Sequence, residues 1–187
     1  AKALDEILTD HAEVFTELKE YYKQTSESDT TKISFYEDTY SLYNLYRFSH
    51  YYEEAYGKYI WLKSGASLVI EHTEAMTVID VNTGSVLKKK KQEDTLFYQI
   101  NREAAKEIAR QLRLRNISGI IMIDFINMKD TAQKEKLLSL LDSECKKDRV
   151  HCNVIDMTAL NLVEMTRSKV RKPLHEQIRF CMKNNRS

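Results

Sequence analysis

Between residues 94 and 123 the hydrophobic period of this chain changes once, and the change narrows the fold more than any other feature. From Asp94 to Arg113, apolar residues Leu96, Phe97, Ile100, Ala104, Ala105, Ile108 and Leu112 recur at three- and four-residue steps. That spacing predicts a long amphipathic helix. Residues 119–123 follow as an unbroken apolar run, the pattern of a strand covered on both faces. A long helix feeding a buried strand is a unit of an α/β layer.

The rest of the chain agrees. Residues 131–147 carry Leu137, Leu138, Leu140 and Leu141 and read as a second helix. Residues 59–62, 67–70, 76–80, 151–155 and 160–165 read as short strands, with Gly65 at a hairpin bend. Nearer the start, residues 4–8 suit a strand or a helix start, 10–22 a helix, 32–36 a strand and 41–56 a Tyr-rich, mostly helical stretch. The fold expected is α/β, a mixed sheet with flanking helices. Four glycines and one proline in 187 residues fit long elements and argue against a turn-rich all-β sandwich. The composition shifts near Gly57, which suggests a boundary there.

Charge excludes one class of function. Lys+Arg is 29 and Asp+Glu 28, a net +1, so binding of nucleic acid by bulk charge is ruled out and any anion site must be local. Three cysteines without a Cys-x-x-Cys support neither a zinc ribbon nor a disulfide framework, and a reducing, cytoplasmic location is expected. No apolar run approaches the ~20 residues of a membrane helix. The start is charged and unlike a signal peptide.

Two strand candidates share a design. Met76-Thr-Val-Ile-Asp80 and Ile120-Ile-Met-Ile-Asp124 are apolar and end in an aspartate. Two such aspartates on neighbouring strands could share a hard divalent cation, since Mg²⁺ takes one or two carboxylates plus waters and substrate phosphate. From spacing alone, helix caps or surface ends are the plainer account of both. Alternation puts Asn82 on the side of Asp80, where an amide can orient water or donate to phosphate, although Asn-Thr-Gly is also a good turn. The five histidines show no pairing in sequence, though distant ones could meet in space.

The segments EHTEAMTVIDVNTG (71–84), EDTLFYQINREAAKEIARQLRLRNISGIIMIDFINM (93–128) and LVEMTRSKVRKPL (162–174) closely resemble the ribonuclease E/G family. The resemblance extends more weakly over residues 4–58. It implies Mg²⁺-dependent endonucleolytic cutting of single-stranded, often A/U-rich RNA, with Mn²⁺ as a substitute ion, leaving 5′-phosphate and 3′-hydroxyl ends. The family's metal-binding aspartates map to Asp80 and Asp124, and its assisting asparagine to Asn82. Residues 54–187 would form a DNase I-like catalytic subdomain, and residues 1–53 the C-terminal part of an RNase H-like one.

Departures accompany the match. The family's S1 and 5′-sensor domains are missing from these residues and are expected partners. After Lys172-Pro173-Leu174, where the family has Cys-Pro-x-Cys, there is one cysteine, Cys181, which puts zinc-linked dimerisation in doubt. Asn127 stands where the IDFIDM-type motif has a second acid. Basic residues Lys88, Lys89, Lys90 and Lys91, and Arg167, Lys169 and Arg171, are candidate RNA contacts, with a solvated surface as the plainer account. Arg110, Arg113 and Arg115 suit a helix C-terminus. The aromatic stretch 36–59 fits a core or a contact surface better than base stacking. If exposed, it could drive homo-oligomer formation. Retention of Asp80, Asn82 and Asp124 together favours an enzyme. A non-cleaving RNA-binding or assembly module of the same fold is the alternative.

Overall fold

The computed structural model describes residues 5–25, 31–84 and 93–177. Contacts divide the chain into two compact units, Ala1–Tyr52 and Glu53–Ser187.

In the first unit, β1 (Glu6–Thr9) pairs in parallel with β2 (Lys32–Phe35), joined through α1 (Ala12–Thr25). Phe15 of α1 meets Phe35 of β2 with ring centroids 5.3 Å apart. The Tyr-rich stretch expected as mostly helix is split into α2 (Leu42–Leu45) and α3 (Phe48–Tyr56). Arg47 between them has φ 51°, a left-handed conformation that an α-helix cannot carry through. Ser41 caps α2 by accepting from the Asn44 amide. Most rings of this stretch are exposed, with Tyr43 stacked on Tyr52 at 6.3 Å, so they are not the core their spacing suggested.

The second unit holds a six-stranded mixed sheet ordered β3-β4-β5-β6-β8-β7. Its strands are β3 (Tyr59–Trp61), β4 (Ser67–His72), β5 (Met76–Asn82), β6 (Gly119–Asp124), β7 (Cys152–Met157) and β8 (Leu162–Arg167). β5 and β6 are parallel and joined through α4 (Glu93–Leu114), while the other neighbours are antiparallel. α5 (Thr131–Cys145), capped by Asp130, lies between β6 and β7 in sequence.

One hydrophobic core joins the helices to one face of this sheet. Ile79, Ile121, Ile123, Val163 and Met165 from the strands meet Ile100, Ala104 and Ile108 of α4 and Leu137 and Leu141 of α5. β6 was expected to be covered on both faces. It is covered on one: Ile121 and Ile123 are buried, but Ile120 is 49% exposed and Asp124 exposed. Both helices share the one core, so the alternate residues of β6 point to the other face.

Two clamps hold the rim of the sheet. Glu103 of α4 accepts the amides of Lys63 and Ser64 at 2.7 and 3.3 Å, fixing the β3–β4 hairpin. Gly84, with φ 57°, lies where an added Cβ would come within 2.5 Å of the Gly65 carbonyl oxygen, so the chain after β5 passes the hairpin closely and needs a glycine.

Candidate metal centre

β5 positions the first aspartate. Thr77, Ile79 and Val81 are buried towards the helices, and alternation turns Val78, Asp80 and Asn82 to the opposite face. β6 repeats the arrangement, with Ile121 and Ile123 inward and Asp124 outward. Register then brings the two together: Asp80 is the direct partner of Asp124 across the parallel pair. Neighbouring strands lie about 4.8 Å apart, so both carboxylates share one patch of the face away from the helices. Both stand at the C-terminal ends of their strands, the rim at which open α/β sheets take ligands.

Asn82 completes the group. Its Nδ2 donates to Asp80 Oδ2 at 2.7 Å. Partial burial, and then the charge of Asp80, push the Asp124 carboxyl above the usual carboxylate range. A carboxyl whose ionisation is opposed by a facing carboxylate is an arrangement a cation relieves. The donors are hard oxygens, open to water, which fits Mg²⁺ better than a softer metal. Among the described residues no group of three or more His, Cys, Asp or Glu side chains is placed to hold a metal, so waters or a substrate would supply the remaining ligands.

Sequence reasoning passed over a residue behind this site. Asn101 of α4 is fully buried among apolar neighbours. Its Nδ2 donates to the Ile126 carbonyl at 2.8 Å, and its Oδ1 accepts from the Ile126 amide at 3.0 Å. The segment leaving Asp124 is thus held at its second residue. The available signal was a lone amide on the apolar stripe of α4, between Ile100 and Ala104.

Among the described residues, the basic candidates do not join the centre. Lys88, Lys89, Lys90 and Lys91 lie outside the described residues, as does Cys181. Arg167 faces inward, which corrects its expected role as an RNA contact. Its Nε donates to Asp148 Oδ2 at 2.9 Å with both side chains almost fully buried, and its Nη1 donates to Asn116 Oδ1 and the Ile117 carbonyl, each at 2.9 Å. Burial acts to raise the Asp148 carboxyl, but bonds from Arg167 and the Val150 amide outweigh it and hold that group low. Lys169 is exposed, 3.9 Å from Glu176, and Arg171 is exposed. Arg167 pairs with Gly119 and Leu162 with Asp124, so the basic cluster begins about 17 Å along β8 from the aspartates. Among the other arginines, Arg115 is buried, with Nη1 donating to the Gly57 carbonyl, and Arg110 pairs with Glu107.

Two histidines do meet in space. His72 and His175 stack with centroids 3.8 Å apart, and His72 Nδ1 lies 3.0 Å from Thr77 Oγ1. Burial, then the charges of His175 and Arg115, push His72 down to about 4. Thr77 stands near the opposite end of β5 from Asp80, on the helix-covered face, so this pair is separate from the aspartates.

No helix among the described residues is long and apolar enough to cross a membrane. The model of the Ribonuclease E/G family matches residues 1–170. The chain is similar to ribonuclease G of Escherichia coli (strain K12), 38% identical over 171 residues, which are 91% of this chain and 35% of that relative. Ribonuclease G of Haemophilus influenzae is 39% identical over 171 residues, again 91% of this chain and 35% of the relative. Ribonuclease E of Nostoc sp. is 34% identical over 176 residues, 92% of this chain and 26% of the relative. The chain therefore spans about a third of the length of the ribonuclease G relatives, at 35%.

Proposed function

The chain belongs to the ribonuclease E/G family, and on that premise we propose that its second unit carries the cutting centre of a Mg²⁺-dependent endoribonuclease. The substrate is single-stranded RNA, the products carry 5′-phosphate and 3′-hydroxyl ends, and Mn²⁺ can replace Mg²⁺. The setting is RNA processing or decay in the cytoplasm. The observation that carries the reading is the direct cross-strand pairing of Asp80 with Asp124, with the Asn82 amide bonded to Asp80.

Asp80 and Asp124 would hold the ion. When bound there, Mg²⁺ lowers the pKa of a water and polarises a phosphate oxygen. The protein's own part is geometric. Adjacent strands fix the two carboxylates, so little reorganisation is needed to bring their oxygens together. The Asn82 bond sets the rotamer of Asp80 and leaves an amide beside the carboxylates, where it can orient water or a phosphate. Asn101 fixes the segment leaving Asp124 through Ile126. No side-chain nucleophile is required, and the stacked histidines lie away from the centre.

The test is cleavage of a 5′-labelled, single-stranded A/U-rich RNA by the 187-residue chain in excess, with Mg²⁺ or with EDTA, beside Asp80→Asn. Cutting should need both Mg²⁺ and Asp80 and leave 5′-phosphate ends. RNA bound but never cut would overturn this reading in favour of a binding module.

A further inference from the structure

We infer that Tyr59 and Trp61 form a base-stacking platform for single-stranded RNA, on the same sheet face as the aspartates and two strands away. The inference deepens the reading of residues 80, 82 and 124 as the cutting centre and rests on it.

Register places the rings. Tyr59 pairs with Val69, Val69 with Asp80 and Asp80 with Asp124, so these four stand in one row across the sheet. Trp61 pairs with Ser67 and Ser67 with Asn82, the next row on the same face. Directly opposed residues project to the same side, so both rings share the face of the catalytic candidates. Two strand spacings put Tyr59 about 10 Å from Asp80 in backbone position. A base flanking the phosphate held at the aspartates can span that distance. The β4 residues between, Ser67 and Val69, carry short side chains.

The rings are placed to receive a ligand. Tyr59 is 59% and Trp61 72% exposed, on a strand with no neighbour on its outer side among the described residues. They stand two residues apart on one strand, about 7 Å, so two bases can be taken in succession. Bases stack on aromatic rings whatever their identity, and a basic groove that tracks the backbone accompanies such rings in single-strand binders. A groove whose cations outnumber its carboxylates adjoins these rings. A cavity of about 640 Å³ runs from Tyr59 and Trp61 over the β3 edge onto α4, lined by Lys63 of the hairpin and by Lys106, Arg110 and Arg113 of α4, with Glu103 and Glu107 of the same helix bonded to the hairpin amides and to Arg110. Lys58 Nζ lies 5.8 Å from the Tyr59 ring centroid. Aromatic faces rimmed by cations fit an RNA strand better than an apolar protein surface.

Trp61 is the only tryptophan, so its emission reports on this spot. The 187-residue chain would be titrated in EDTA, where no cutting is expected, with a short single-stranded A/U-rich RNA. Saturable quenching is expected, with little from the same sequence as a duplex, whose bases are already stacked. Anisotropy of labelled RNA should show about a tenfold loss of affinity in Tyr59→Ala and in Trp61→Ala, while Tyr59→Phe and Trp61→Phe keep most of it. Circular dichroism would check that each variant folds. RNA bound without quenching, alanine variants that bind as the wild type does, or no RNA bound at all would each overturn the platform. Cutting that needs Asp80 while Trp61 stays silent overturns only the platform. Quenching without any cutting overturns only the cutting centre.

Discussion

Asp124 shows how one residue can be costly alone and useful in company. Its carboxyl is pushed up by partial burial and then by Asp80, so without a cation its ionisation is opposed. Asp124→Asn should therefore leave stability unchanged or raise it slightly, since one like charge is removed and solvent screens most of the repulsion at an exposed group. The same change should lower cleavage about 10²–10³-fold, the scale of losing several kcal/mol of transition-state charge stabilisation. Thermal melts separate the two effects. Millimolar Mg²⁺ should raise the wild-type midpoint and leave the variant's unmoved. The motif was legible in sequence because strand ends and carboxylates leave a local pattern. Arg167 was misread because it sits among basic residues that do face solvent. Its alternation with buried Val163 and Met165 held the correct signal.

Among the elements, α4 does more than cover the sheet. Its apolar stripe packs on the inner face, and Asn101 within that stripe reaches the backbone beyond β6. Asn101→Ala would leave the Ile126 N–H and C=O without these partners and open a small space in the core. A loss of about 2–4 kcal/mol is expected, read from urea midpoints. Cleavage measured well below the unfolding transition should fall as well, because the segment leaving Asp124 loses its anchor. A variant that is less stable yet cuts at the wild-type rate when folded would show that the clamp only supports the fold. The helices and strands of this unit were legible from period alone. The open face of β6 was not, since a run of apolar residues looks the same whether one side or both are covered. Nor was the break in the Tyr-rich helix, which depends on the conformation of Arg47.

At the scale of the whole second unit, cohesion depends on contacts between segments far apart in sequence, which no local pattern announces. His72 on β4 stacks on His175, beyond β8, and Arg115 at the end of α4 adds its charge. The folded state keeps His72 neutral down to about 4, whereas the unfolded chain protonates it near 6.5. Between those values the unfolded state binds more protons, so stability rises with pH across that window and is lost as pH falls through it. The ring is only about half buried, so solvent screening reduces the effect to about 1–2 kcal/mol. His72→Gln removes the titration while keeping a polar group near Thr77. Urea midpoints at pH 7.5 and 4.5 should show the wild type losing more than the variant by that margin. Asp148 and Glu107, both held low, keep their stabilisation until lower pH and are common to both proteins, so they cancel in the comparison. Equal losses in the two proteins would mean that the stacked pair adds nothing to acid sensitivity, and that the packing of residues 174–177 against the sheet is indifferent to the charge on His72.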